Sequence, residues 1–345
     1  MAEYTRAVGI KGGKGPISSL FIDTEYSKPK PKDGQALVHI KAFGINRMDL
    51  LQREGNYPLP PQAQGLPMGV EFSGVIESFG SPSGDHETFN VGDEVFGLAY
   101  GGAYAEYVTV STHMLIHKPK ELSWEVAAGI PETWITATQA LYLVGGFKPG
   151  KSVLWHAGAS SVSIAGVQIS KGDGASKVYV TASTQEKINC AKSLGADVGF
   201  SYKEGDWSEA LLKATNGKGA DIIIDFIGGP YFEQNLNAVA RDGHIVNLGF
   251  LGGPKVKPAN GTDIDISKFL VKRARYEGTT LRSRDETYQG KLRDLVVEHS
   301  LPKLKNGTFR VPIEKVFKME EIQDAHTLME SNKTMGKLIC TVDWQ

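Results

Sequence analysis

The stretch Val153-Leu-Trp-His-Ala-Gly-Ala-Ser-Ser-Val-Ser-Ile-Ala-Gly-Val-Gln168 constrains this chain more than any other segment. An apolar run at 153–155, small residues at 157–161 and an apolar period beyond them predict a buried strand, a tight turn and a helix. Such a unit points backbone N–H groups and the positive end of a helix at an anion, as in a dinucleotide pyrophosphate site. Gly158 is the one turn glycine left; Ser160, Ser161 and Ser163 stand where glycines would be expected. Serine is small and donates hydrogen bonds, so Gly158, Ala159, Ser160, Ser161, Val162 and Ser163 are candidate phosphate contacts. The added hydroxymethyl groups are expected to crowd the pyrophosphate. Taken alone, the motif also fits an ordinary strand-to-helix turn.

The next segment, Lys177-Val-Tyr-Val-Thr-Ala182, predicts a second parallel strand. Strand, crossover helix and strand make a right-handed unit of about 30 residues. NAD-binding versions carry an Asp or Glu at the end of the second strand to hold the ribose hydroxyl. Here that end carries Ser183 and Thr184, with Lys187 one turn later. A carboxylate repels a 2′-phosphate, whereas hydroxyls and an ammonium hold it. The expected cofactor is therefore NADPH rather than NADH. The alternative role of Lys187 is a solvated helix lysine.

The 345 residues suggest two domains, and 41% hydrophobic residues suffice for a full core. A net charge of −1 with no basic stripe gives no expectation of a nucleic-acid partner. The chain shows neither an apolar run near membrane-spanning length nor a secretory pattern, so no membrane partner and a cytoplasmic location are expected. Two cysteines, Cys190 and Cys340, argue against a disulfide framework and for a reducing compartment.

Before about residue 125 the pattern is β-rich. Short strands are predicted at 35–43, 74–79, 94–97 and 105–110, separated by Gly-rich turns. Ser123 predicts an N-cap. From there helix and strand alternate, with buried parallel strands expected at 221–225 and 243–249 and a helix at 231–240 between them. A doubly wound sheet over about 129–272 follows. A strand at 314–317, an amphipathic helix at 319–331 and a strand at 337–342 are expected to rejoin the N-terminal part.

Several motifs then carry a resemblance. They are Gly44-Ile-Asn-Arg-Met-Asp49 with Gly55-Asn-Tyr-Pro58, Gly69-Val-Glu-Phe-Ser-Gly-Val75, Val91-Gly-Asp-Glu-Val95, Gly102-Ala-Tyr-Ala-Glu-Tyr107 and Ile130-Pro-Glu-Thr-Trp-Ile-Thr-Ala137. Later ones are Lys192-Ser-Leu-Gly-Ala196, Asp225-Phe-Ile-Gly-Gly229 and Met335-Gly-Lys337. Together they resemble the medium-chain dehydrogenase/reductase superfamily, in its zinc-free, zeta-crystallin-like quinone oxidoreductase branch, across essentially the whole chain. The wording at 46–57, 156–158 and 281–285 is similar to the tumour-suppressor-inducible quinone oxidoreductases.

The resemblance implies an α/β fold: a GroES-like β-rich catalytic domain (1–128 and 273–345) with an inserted Rossmann domain (129–272). It also implies a homodimer. In alcohol dehydrogenases of this superfamily a Cys, the His of Gly-His-Glu and a further Cys bind zinc. Here Asn46 and Val70 stand at the first two positions and 131–133 offers no cysteine, so no metal is expected. His113 and His117 are spaced for one helix face, but their flanks predict strand and loop.

The resemblance further implies roles. Asn46 would lie beside the nicotinamide, or else only cap the helix near Met48. Tyr57 would line the acceptor site and donate a hydrogen bond or proton, or else be a packed turn residue. Thr136 would approach the cofactor, Tyr202 the 2′-phosphate, and main chain at Gly249, Phe250 and Leu251 the nicotinamide amide. Arg47 and Arg53 are expected to be solvated helix charges. The expected activity is NADPH-dependent reduction of a quinone-type acceptor. One alternative is a 2-enoyl thioester or enone reductase with Tyr57 as proton donor. Another is a non-enzymatic NADPH- or RNA-binding protein.

Overall fold

The computed structural model describes residues 3–80, 88–256 and 263–344. Its contacts separate two compact units, Met1–Ile135 with Arg282–Gln345, and Thr136–Leu281.

The middle unit is built on the βαβ unit expected from residue 153 onward. Its six strands lie in the order Val198–Ser201, Lys177–Ala182, Ser152–Trp155, Ala220–Asp225, Val239–Asn247 and Arg275–Gly278. Every pairing is parallel. Numbered along the chain, the order is 3-2-1-4-5-6, the doubly wound arrangement that opens a crevice beside the first strand. Ile222, Ile223 and Ile224 pair with Val153, Leu154 and Trp155 across the reversal point. Strands buried on both faces read as continuous apolar runs, which is why Val153–Trp155 and Ile222–Ile224 are almost fully buried. The sixth strand lies beyond residue 272. All four of its residues are exposed, as befits an edge strand, so no apolar run marks it.

Helix Ser161–Gly172 crosses over the first two strands. A Cβ on Gly166 would come within 2.1 Å of the Trp155 ring, so glycine there lets the helix seat on a large indole. Helix Gln185–Ser193 is N-capped by Thr184 and helix Trp207–Ala214 by Asp206. The helix expected at 231–240 is shorter, Phe232–Ala238, because Val239 already begins the fifth strand.

The other unit carries a sheet ordered Ile313–Lys318, Lys337–Thr341, Gln35–Ile45, Glu71–Phe79, Glu94–Leu98 and Leu115–His117. Tyr107–Ser111 pairs with Gln35–Ile45 as well. The C-terminal strand Lys337–Thr341 runs antiparallel to Gln35–Ile45, with Leu338 opposite Ile45. Phe43, Phe72, Phe96 and Tyr104 fill the interior. Helix Ile322–Glu330 buries Ile322, Ala325, His326 and Met329. His326 is thus one of the inward positions of this helix.

Candidate functional site

Two groups of candidate residues emerge, one in each unit. The first lies along the carboxyl ends of the parallel strands. Strand Ser152–Trp155 runs into His156, and Ala157 then adopts a left-handed φ of 49°. A non-glycine residue in that region carries strain, which recurs at ligand-binding turns. Gly158 donates its N–H to Thr181 O at 2.8 Å. A Cβ on it would lie 2.7 Å from Val180, so the turn needs glycine to lie this close to the second strand. Ala159 and Ser160 close the turn, with the Ser160 N–H donating to Ala157 O. Ser160 is the N-cap, and its Oγ accepts from the Ser163 N–H. Helix geometry leaves the amides of Ser161 and Val162 without partners inside the helix, so they are open to an anion.

Ser163 has a different place from the one expected. It is fully buried, and its hydroxyl donates to His156 O at 2.6 Å. It clips the first helical turn to the end of the first strand and lies away from solvent. The crowding expectation therefore fails for Ser163 and applies only to Ser160 and Ser161. Ser163→Gly should lower stability by about 1–3 kcal/mol, from one lost buried hydrogen bond plus glycine in a helix. Urea unfolding measures this; an unchanged or raised midpoint would contradict the clip.

His156 braces the same point. Its Nε2 lies 2.8 Å from Asn235 Oδ1 and its Nδ1 2.9 Å from Thr181 Oγ1. These partners fit a neutral ring with Nε2 donating and Nδ1 accepting. Burial pushes its pKa below the ordinary histidine value, so the ring stays neutral.

Ser183 and Tyr202 follow adjacent strands. The Tyr202 N–H donates to Ala182 O at 3.2 Å, which sets Tyr202 beside the end of the second strand. Thr184 caps the following helix by accepting from the Lys187 N–H, so Lys187 sits in its first turn. The nearest carboxylate along the chain, Glu186, is exposed in that turn. After the fifth strand, the Leu251 N–H donates to Phe226 O and holds the 249–251 turn beside the fourth strand. Phe250 and Leu251 are about half exposed. Thr136 keeps a buried Oγ1 with no hydrogen-bond partner among the described residues. An orphaned buried hydroxyl costs free energy unless a ligand or water meets it. The strained turn, open amides, clustered hydroxyls and this orphan together fit a dinucleotide.

The second group surrounds Asn46, at the N-cap position of helix Arg47–Arg53. Asp49 Oδ2 accepts from the Asn46 backbone N–H at 2.7 Å. The Asn46 side chain has further partners. Its Nδ2 donates to Glu71 Oε1 at 2.9 Å, and its Oδ1 accepts from Lys337 Nζ at 2.9 Å. Lys337 also pairs with Glu71, and both are buried. Glu71 Oε2 accepts the Glu132 N–H at 2.9 Å. Asn46 is thus an amide clamped by Glu71 and Lys337 that also stands in a capping box with Asp49 at the start of the helix. A divalent cation at this position would meet the fixed Lys337 ammonium, and the neighbouring side chains do not make a ligand set. Among the described residues, no three of His, Cys, Asp and Glu gather as metal ligands would. The residues present do not fit zinc.

Tyr57 is half-buried. Desolvation pushes its pKa up to about 12, with Glu132 adding to the rise and Arg282 opposing it. Its hydroxyl is therefore a proton-bearing donor at neutral pH. Desolvation also raises Glu132 to about 7 and Asp49 to about 6. Arg53 corrects an expectation. It is buried, hydrogen-bonds to His326 and Gly15, and pairs with Glu330 at 2.6 Å. It ties helix Arg47–Arg53 to helix Ile322–Glu330 and is not a solvated charge. Arg47 is partly exposed and donates to Asn332 Oδ1.

Sequence reasoning from the residues alone missed Glu71, Lys337, Asp49, His156 and Arg282. Glu71 and Lys337 appeared only inside quoted motifs; nothing in either motif shows that the two pair.

A family model described as alcohol dehydrogenase GroES-like domain matches residues 32–120, and one described as zinc-binding dehydrogenase matches 161–298. A quinone oxidoreductase of Pongo abelii is 33% identical over 209 residues, covering 60% of this chain and 62% of that protein. Alignments with the first curated relatives span 42% to 62% of those proteins. A structure described as an NAD-dependent alcohol dehydrogenase has a TM-score of 0.83 at 28% identity, covering 98% of this chain and 100% of that one. A mycobacterial protein complexed with NADPH also has a TM-score of 0.83, at 26% identity, covering 98% and 99%. With the alcohol dehydrogenase GroES-like and zinc-binding dehydrogenase models together matching more than half of it, the chain belongs to the medium-chain dehydrogenase/reductase family and is similar to quinone oxidoreductases within it.

Proposed function

We propose that this protein is an NADPH-dependent quinone oxidoreductase that works without a metal. The observation that carries the proposal is the Asn46–Glu71–Lys337 network. It puts an amide and a fixed cation where a metal-dependent relative has its first zinc ligand. Without a Lewis acid, reduction of a simple ketone lacks carbonyl polarisation. A quinone needs less, because it is a strong hydride acceptor.

NADPH, when bound, supplies the hydride. Gly158, Ala159, Ser160 and the amides of Ser161 and Val162 would hold its pyrophosphate. Ser183, Lys187 and Tyr202 would hold the 2′-phosphate. Thr136, Asn46 and main chain at 249–251 would meet the nicotinamide end, and Tyr57 would donate a hydrogen bond to the acceptor. The likeness to a quinone oxidoreductase and to an NADPH-bound structure supports this assignment.

A second copy of the chain remains the expected protein partner. The edge strand Arg275–Gly278 and the exposed Leu270 and Val271 of the neighbouring helix support a homodimer. No described helix is long and apolar enough to cross a membrane. A cytoplasmic location remains part of the proposal.

One observation favours the enoyl or enone reductase as a second reading: Tyr57 is a half-buried, firmly protonated hydroxyl. NADPH oxidation scanned over quinones and trans-2-enoyl thioesters separates the two, with Tyr57→Phe as the probe. With quinones the variant should lose less than about tenfold, since water can supply protons. A general acid contributes about 10²- to 10⁴-fold. A fall in kcat beyond about a hundredfold, with NADPH binding intact, would shift the assignment to enone reduction.

A further inference from the structure

Arg282 carries an unexplained feature. It is 4% exposed, and its guanidinium is held on two sides: Nε donates to Tyr100 O at 2.7 Å and Nη1 to Gln52 Oε1 at 2.8 Å. Its third nitrogen, Nη2, is buried and meets no acceptor at full hydrogen-bond geometry among the described residues, although the guanidinium does act on the Tyr57 hydroxyl. Among the described residues no carboxylate lies within ion-pair distance. Asp49 and Glu132 feel its field without touching it. The Tyr57 ring lies 5.5 Å from the guanidinium carbon. A buried cation without a counter-ion is costly, and a buried N–H donor without an acceptor adds to that cost. The two fixed hydrogen bonds lock the group in place, so the open donor has a set direction. A guanidinium N–H is a strong, charge-assisted donor to an oxygen anion.

We propose that Arg282, with the Tyr57 hydroxyl, forms an oxygen-binding subsite that takes the negatively charged oxygen of the reduced acceptor. For the reaction this rests on the quinone reductase assignment; for binding it stands alone. A neutral quinone that accepts hydride from NADPH, leaving NADP⁺, becomes a hydroquinone monoanion. One proton from solvent then completes the hydroquinone. The charge develops on an oxygen, and a preorganised guanidinium donor stabilises it as it forms. Tyr57 and Arg282 lie far apart in the chain yet share one place, so neither marks the subsite by itself.

The test uses full-length protein and two ligands of similar shape. One is 2-hydroxy-1,4-naphthoquinone, an anion at neutral pH; the other is neutral 1,4-naphthoquinone. Binding is measured by calorimetry for wild type, Arg282→Ala and Arg282→Lys, with thermal melts to confirm folding. Arg282→Ala should weaken the anion by about ten- to a hundredfold and the neutral ligand by no more than about twofold. Millimolar guanidinium should restore part of the anion binding, which a merely structural role would not show. Turnover with a neutral quinone should fall about 10²- to 10³-fold, mainly in kcat. If the alanine variant fails to fold, Arg282→Lys decides. It keeps the charge and should keep a preference for the anion; loss of that preference overturns the proposal. Equal weakening of both ligands, or of neither, also overturns it. Should wild type bind the anion through Arg282 yet reduce no quinone, the subsite stands and the quinone reductase assignment falls.

Discussion

Lys337→Met should lower the stability of the fold by about 3–5 kcal/mol. Lys337 and Glu71 are buried at 2% and 0% side-chain exposure and pair with each other. Removing the ammonium leaves the Glu71 carboxylate in the interior with only the Asn46 amide and the Glu132 N–H as donors. An uncompensated buried charge is far more costly than the net worth of the pair it came from. The double variant Lys337→Met/Glu71→Gln should therefore recover much of the loss, because it removes the stranded charge as well. Equilibrium urea unfolding of the three variants measures both effects. A single-variant cost below about 1 kcal/mol would mean that Glu71 is not carrying an unpaired charge, and this account of the network would be wrong. Asn46 loses the donor to its Oδ1 in the same variant, so its amide should also lose orientation.

Lys187→Glu should separate the two nicotinamide cofactors. The substitution puts a carboxylate in the first turn after Ser183 and Thr184, beside Tyr202 on the adjacent strand end. If the 2′-phosphate sits there, an attractive charge becomes a repulsive one. A charge-assisted contact is worth about 1.5–3 kcal/mol, so NADPH should bind roughly ten- to a hundredfold more weakly. NADH, which lacks that phosphate, should change little. Titration of both cofactors by calorimetry gives the ratio. Equal losses would show that Lys187 lies away from the phosphate and would remove the main support for NADPH over NADH.

Much of the middle unit was legible in the residues. Buried strands at 153–155, 177–182 and 221–225 read as short apolar runs because a doubly wound sheet hides both faces. Ser123, expected to cap a helix, does so by accepting from the Val126 N–H, whereas Ser160 and Thr184, expected only as ligand contacts, cap helices as well. The sixth strand was not legible. An exposed edge needs no apolar pattern, and Arg275–Gly278 has none. Ser163 was misread for a related reason. A serine in a glycine position looks like an intrusion into a ligand site, and only the seating of the helix on strand Ser152–Trp155 shows that the hydroxyl points to His156 O.

Residues adjacent along the chain were enough to predict the turn at 157–161, the Ser123 cap, the apolar runs and the lack of a carboxylate at Ser183 and Thr184. Those features arise from local periodicity and residue chemistry, which survive without knowledge of the rest of the fold. Long-range packing set the remaining features. Lys337 reaches Asn46 and Glu71 because the strand Lys337–Thr341 pairs antiparallel with Gln35–Ile45 in the register that sets Leu338 opposite Ile45. A shift of one residue would turn every side chain on that strand to the other face. Arg53 meets Glu330, and Arg282 meets Gln52, by the same kind of long-range placement. A charge reads as a surface residue until the partner that buries it is known, and register between distant segments is a property of the whole packed sheet.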